Sequence, residues 1–259
     1  MKKILILIAL ILSLFSNANA AVTLDELKQV ESALYKAFLE LRPTTNDKLS
    51  INTPIPGLSE DYWWDIDMIH ASYVREESTT SDEVTHNIYL MGGFARLEGM
   101  TPDGLALTGC HEIGHGIGGA PFKNPSMGTI GSTAEGQADY FATKVCLPVV
   151  FKYLSETMVD YDQSEYEQGL CSKQSKHENS VCLRLFRALE SDISFFAHLG
   201  SYVAMDEFST NEATVIIKDP SYYPDAQCRL DTMINGILDI ERPICWYPNG
   251  LANGTSREL

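Results

Sequence analysis

Apolar residues are grouped along this chain in three ways, and each predicts a different kind of element. Ile4 to Phe15 form an unbroken apolar run behind Met1-Lys2-Lys3, followed by the small-x-small pattern Ala18-Asn19-Ala20. That layout is a cleavable export signal with a mature start at Ala21, and the run is too short for a comfortable membrane span. Leu24 to Leu41 reads as an amphipathic helix ended by Arg42-Pro43. Val181 to Val203 reads as a second, with Leu183, Leu185, Phe186, Leu189, Ile193 and Phe196 available for a core-facing stripe. The stretch from His86 to Arg96 opens with strand formers, and its Gly92-Gly93 marks a bulge or a close approach of backbone.

Between these elements the chain reads as connections. Pro54, Pro56 and Gly57 lie in a loop, and Asp61 to His70 carries Tyr62, Trp63 and Trp64 as core or cleft wall. Residues 76–83 are polar and loop-like, residues 160–180 form a loop or short helix, and the tail 249–259 frays. No internal repeat is visible. The mature chain, 21–259, is the size of one domain, with 21–60 as an N-terminal helix and loop.

Two further helices carry the chemistry. Thr101-Pro102-Asp103 is a start signal: a hydroxyl cap, a proline in the first turn and an acid at the positive end of the dipole. Gly116, Gly118, Gly119 and Pro121 end that helix. Its last turns hold His111-Glu112-Ile113-Gly114-His115, an H-E-x-x-H motif. Residues four apart share a helix face, so the two imidazoles can bind one metal ion while Glu112 stands beside them as a base. A second helix is predicted from about Thr133 to Cys146, ended by Pro148. Glu135 and Asp139 share one of its faces. Glu135 can be the third ligand, and Asp139 can accept the free ring N–H of a ligating histidine. His, His and Glu leave a fourth position open, as a catalytic zinc site requires. The structural alternatives are a chance H-E-x-x-H, Glu135 as part of a capping box with Ser132, and Asp139 as a solvated helix residue.

H-E-I-G-H followed by E-G-Q-A-D resembles the gluzincin clan of zinc peptidases, whose E-x-x-x-D helix supplies the third ligand and its orienting aspartate. Within the clan the chain is most similar to short soluble relatives of the HtpX-like and CAAX-prenyl-protease-like peptidases, over roughly residues 60 to 235. Those enzymes carry a later H-P-x-x-x-x-R element that helps stabilise the oxyanion. Tyr223-Pro224-Asp225-Ala226-Gln227-Cys228-Arg229 matches it with tyrosine in place of histidine. The resemblance therefore implies Tyr223 or Arg229 as the oxyanion donor. Against it stand a plain turn at Tyr222-Tyr223-Pro224-Asp225 and an ion pair of Arg229 with a surface acid. His198 and Tyr202 are weaker candidates for the same task. The resemblance also implies a zincin-like α+β fold, mainly helical, with a small antiparallel sheet and an active-site helix pair. In such folds peptide substrate adds to an edge strand above the active-site helix. The His86 segment takes that place in chain order, or is an interior strand.

Cysteines and charge bound the remaining possibilities. Cys110, Cys146, Cys171, Cys182, Cys228 and Cys245 are even in number, and disulfides are the default for an exported chain. Of fifteen pairings, closeness in sequence favours Cys171–Cys182 and Cys228–Cys245. Cys110–Cys146 then remains, joining the two motif helices. No C-x-x-C spacing offers a cysteine metal site. The net charge of −16 becomes −18 once Lys2 and Lys3 leave with the signal. That argues against nucleic acid and anionic membranes, and leaves peptides, basic ones included, as partners. The expectation is an exported, periplasmic or secreted, metallopeptidase with one Zn2+ per chain. The competing classes are a zinc-binding or chaperone-like protein without proteolysis, and a zinc hydrolase of peptidoglycan peptides.

Overall fold

The computed structural model describes residues 21–124, 131–156, 164–173, 175–205, 223–243 and 245–246. The expected signal, residues 1–20, and the tail 249–259 lie outside the described residues. Helix α1, Leu24–Leu41, begins with a capping box in which Thr23 and Glu26 satisfy each other's exposed groups. Its buried face carries Leu27, Val30, Leu34 and Phe38, and it stops at Arg42. Strand β1 (Asp47–Ile51), a single-turn helix α2 (Tyr62–Asp65), β2 (Ala71–Glu77), β3 (Val84–Leu90) and a single-turn helix α3 (Gly92–Ala95) follow. Helix α4 is Pro102–Ile117, and α5 is Glu135–Phe141. A π turn over Ala142–Cys146 continues into α6, Leu147–Val150. The chain then adds α7 (Glu165–Lys173), α8 (Asn179–His198) and α9 (Ala226–Leu238). The fold is α+β and mainly helical, as expected.

The sheet differs from expectation. Its order is β1-β3-β2, with β3 antiparallel to β2 but parallel to β1. It is therefore mixed, because the chain leaves β1, makes α2 and β2, and re-enters between its two predecessors. The His86 segment is thus the central strand, paired on both sides, and β1 and β2 are the outer strands among the described residues. Buried His86 joins all three strands: its Nε2–H donates to Asp47 Oδ1 at 3.1 Å, and its Nδ1 accepts the Tyr73 hydroxyl at 2.8 Å. Burial holds the imidazole below its usual pKa, which favours this neutral arrangement over the partly opposing pull of Asp47. Gly92-Gly93 makes no bulge. It starts α3 and meets the backbone of Trp64 and Asp67 too closely for any side chain.

Helix α4 runs through the middle of the molecule, buried at every residue from Pro102 to His115. Thr101 caps it by accepting the Gly104 N–H, and Gly119, at φ 83°, ends it in a conformation only glycine adopts without strain. Gly114 lets α5 approach: a Cβ there would lie 3.0 Å from the Ala138 Cα. A mid-helix glycine costs about 1 kcal/mol, but it brings the two motif helices into backbone contact. At the other end of α4, Arg184 of α8 forms a two-pronged buried pair with Asp103, at 2.8 and 2.7 Å.

Pro148 does not end the second motif helix. It falls in the first turn of α6, where the wider π turn has reset the hydrogen-bond register and a missing N–H costs little. Cys171–Cys182 and Cys228–Cys245 pair as closeness in sequence suggests, and Cys110–Cys146 is the pair that remains. Cys110–Cys146 spans 36 residues and Cys171–Cys182 spans 11. Loop-closure entropy assigns them about 4 and 3 kcal/mol of stability. Paired Cys→Ala variants, unfolded in urea, are expected to reproduce that order. Only the Cys110–Cys146 variant should also weaken metal binding, because Cys110 adjoins His111 and Cys146 closes the turn after Asp139. Equal metal affinity in both variants would remove that disulfide from the site.

Candidate metal centre

Helices α4 and α5 bring His111, His115 and Glu135 together with their ligand atoms converging. Glu135 Oε2 lies 3.2 Å from His111 Nε2 and 3.6 Å from His115 Nε2. Two ligands 2.0–2.1 Å from a tetrahedral ion stand about 3.3 Å apart, so these separations fit a shared ion. Glu135 is fully buried, and its Oε2 has no aligned hydrogen-bond donor among the described residues. An unsatisfied carboxylate oxygen between two imidazole nitrogens is costly unless a cation occupies the gap. Glu135 caps nothing: the helix begins after Ala134 with no side-chain cap.

Each ligand is held from behind. His115 Nδ1–H donates to the Thr133 carbonyl at 2.9 Å, while the Thr133 N–H donates to the His115 carbonyl at 2.9 Å. This two-way contact turns the His115 Nε2 lone pair toward the centre. Asp139 Oδ1 lies 2.7 Å from His111 Nδ1, although off the line of its N–H, and Arg229 grips both oxygens of Asp139 at 2.8 Å. Glu135 Oε1 takes a 2.6 Å ion pair from Lys123. Residues of α4, α5, α9 and the loop after α4 therefore share one network.

The charges follow from these contacts. Without a metal, burial opposes protonation of His111, but the charge and contact of Asp139 outweigh it and push the imidazole up to about 10. Burial and the neighbouring His111 charge press His115 down to about 3, so it stays neutral. Burial would raise Glu135, yet the two imidazoles and Lys123 hold it far below the carboxylate range. Burial likewise raises Asp139, and Arg229 and His111 reverse the shift. A proton on His111 thus competes with a metal ion for the same nitrogen. Asp139→Asn removes the anion that orients His111 and leaves Arg229 unpaired. Metal affinity is expected to fall about 10–100-fold, as titration against a competing chelator would show. Unchanged affinity would reduce Asp139 to a structural residue.

Glu112 is buried, lines a cavity of about 150 Å³ beside the ligands, and is pushed up to about 7 by burial, which the His111 charge only partly offsets. Tyr223 stands at the rim of that cavity, 66% exposed, just before α9, where Asp225 caps the helix through the Cys228 N–H. Residues 223–225 form an irregular lead into α9 that Asp225 caps, and Tyr222 of the alternative turn lies outside the described residues. Desolvation of the phenol group and the charge of nearby Glu135 raise Tyr223 well above the usual range, so its O–H stays protonated. Arg229 lies at the site too, but two of its nitrogens are committed to Asp139 rather than to a surface acid. His198 and Tyr202 are exposed at the far end of α8 and line no part of the cavity.

The structure adds three participants that the motifs did not reveal. Lys123 and the Thr133 carbonyl come from the connection between the helices, where no local pattern announces them. Asp192, on α8, also lines the cavity. It interrupts the apolar stripe of that helix three residues after Leu189 and four before Phe196, the one signal by which it could have been found. No protein-family model, curated protein or solved structure matches the chain. The metal centre therefore rests on its own geometry.

Proposed function

We propose that the chain is an exported zinc-dependent metallopeptidase of gluzincin type. The observation that carries this reading is the convergence of His111, His115 and Glu135 beside a cavity that Glu112 lines. The two nitrogens and one carboxylate oxygen would hold the ion, and bound zinc supplies a Lewis acid for the scissile carbonyl and lowers the pKa of water. Metal binding alone would not require Glu112.

The protein groups divide the remaining work. Glu112 accepts the proton of the attacking water and passes it to the departing amine, a task for an ionised carboxylate beside the ligands. Tyr223, protonated and at the rim, donates to the oxygen that becomes negative. Arg229 acts through Asp139, fixing the carboxylate that orients His111, and so is a positioning residue. Strand β2, an outer strand among the described residues, offers its edge to the substrate backbone, and Ile69, His70 and Ala71 at its start line the cavity. Export is supported by three disulfides. No helix among the described residues is long and apolar enough to cross a membrane.

The test is hydrolysis of a quenched fluorescent peptide library by the mature chain, before and after chelation. Cleavage that stops on chelation and returns with one zinc per chain supports the reading. A fully zinc-loaded chain that cleaves only peptidoglycan peptides would move it to cell-wall hydrolysis. One that cleaves neither would favour metal binding without proteolysis.

A further inference from the structure

Away from the metal ligands, the cavity has an apolar wall into which α8 brings a carboxyl group. Phe94, Leu107, Phe195 and Met233 line it, and Asp192 joins them from α8. Asp192 is 92% buried, since only 8% of its surface is exposed, and its Oδ2 has no hydrogen-bond partner among the described residues. Arg229 is close enough to be felt electrostatically, but it is gripped by Asp139. Asp139 and Arg229 pair with each other through both carboxylate oxygens. The Oδ2 of Asp192 is then a buried carboxyl oxygen with no hydrogen-bonded cation among the described residues, an arrangement that is costly unless the group is neutralised or met by a cation.

We propose that Asp192 is the specificity-determining residue of a substrate pocket that takes a lysine or arginine side chain. This rests on the peptidase reading for its substrate class, and on the geometry of Asp192 for its charge. Aliphatic stems suit the apolar wall, and the charged head meets the carboxylate. The size agrees: a cavity of about 150 Å³ holds benzene, about six heavy atoms, and a lysine side chain has five beyond Cα. The acidic chain, at −16 overall, also favours cationic peptides at long range. Burial, only partly opposed by Arg229, holds empty Asp192 up at about 7, so the carboxylate stands ready to ionise when a cation arrives.

The experiment is direct binding, so that it does not depend on turnover. Fluorescein-labelled alanine heptapeptides carrying one lysine, arginine, norleucine or glutamate, scanned through every position, are titrated onto zinc-loaded Glu112→Gln chain. At one position lysine or arginine should bind about 10–100-fold more tightly than norleucine, the worth of a hydrogen bond to a charged group. Adding Asp192→Asn should bring that ratio close to one, with metal content measured to show that the site is intact. A ratio near one at every position without the Asp192 change overturns the inference, whatever the variant does. So does a basic preference that survives Asp192→Asn. Selective lysine binding by a chain whose Glu112-intact form cleaves nothing keeps the pocket and overturns the peptidase reading. Metal-dependent cleavage with no basic preference does the reverse.

Discussion

Glu112→Gln is expected to keep the fold and one metal per chain while lowering peptide cleavage about 10²–10⁴-fold, the usual worth of a general base. Glutamine has nearly the same volume, so the packing of α4 is undisturbed. Burial is the largest influence on the Glu112 carboxyl group, which also feels His111, Glu135, Lys123 and Arg229 through charge. The three metal ligands are untouched. What disappears is the ability to take a proton. In the metal-free chain burial lifts this carboxyl to about 7, and the charge of a bound ion would draw it down again, keeping the base ionised at neutral pH. Initial rates, metal analysis and circular dichroism on the same preparation separate the effects. A variant retaining a tenth of the activity would remove Glu112 from the role. A variant that lost its metal would show that the carboxylate helps to build the site.

The sequence made local features legible and long-range ones only where chemistry enforced them. Helix α4 could be placed because its cap, proline and terminal glycines act within a few residues of one another, and α1 because its stripe and stop are equally local. Two disulfides could be paired because nearby cysteines close short loops, and Cys110–Cys146 as the pair that remains. Glu135 and Asp139 could be assigned because four-residue spacing on a helix is itself geometry. The parallel pairing of β1 with β3 could not be read, since nothing in either strand states which neighbour it takes. That choice put the His86 segment in the middle of the sheet and left β1 and β2 outside. The π turn escaped because no residue type marks it, and with it the continuation past Pro148. Lys123 and the Thr133 carbonyl escaped for a similar reason. Their role depends on how an irregular connection folds back over α4. Asp192 was visible as a polar break in an apolar stripe, but only the cavity shows where it points.

Glu135→Gln is expected to abolish stoichiometric metal binding, the larger of the two effects because it removes both a ligand and the charge that balances the ion. Two imidazoles remain, and two neutral nitrogens four residues apart on a helix do not hold zinc against dialysis with a chelator. The amide keeps the shape of the carboxylate, so loss of metal reports charge rather than packing. Lys123 loses its partner at the same time. Its side chain is 17% exposed, enough for the ammonium to turn toward solvent, so stability should fall by less than the 3–5 kcal/mol typical of a fully buried broken pair. His111→Ala provides the complementary reading. It leaves Glu135 and Lys123 paired and strands Asp139 with Arg229, so its metal should be lost with little change at the Lys123 side. The discriminating measurement is zinc per chain after chelator dialysis for both variants, with chemical denaturation of each. Zinc retained near one per chain in Glu135→Gln would mean that the third ligand is another residue, and that Glu135 serves Lys123 instead. Zinc lost from Glu135→Gln but retained in His111→Ala would break the shared site apart. Loss from both, with different stability signatures, is what a single ion held between α4 and α5 requires.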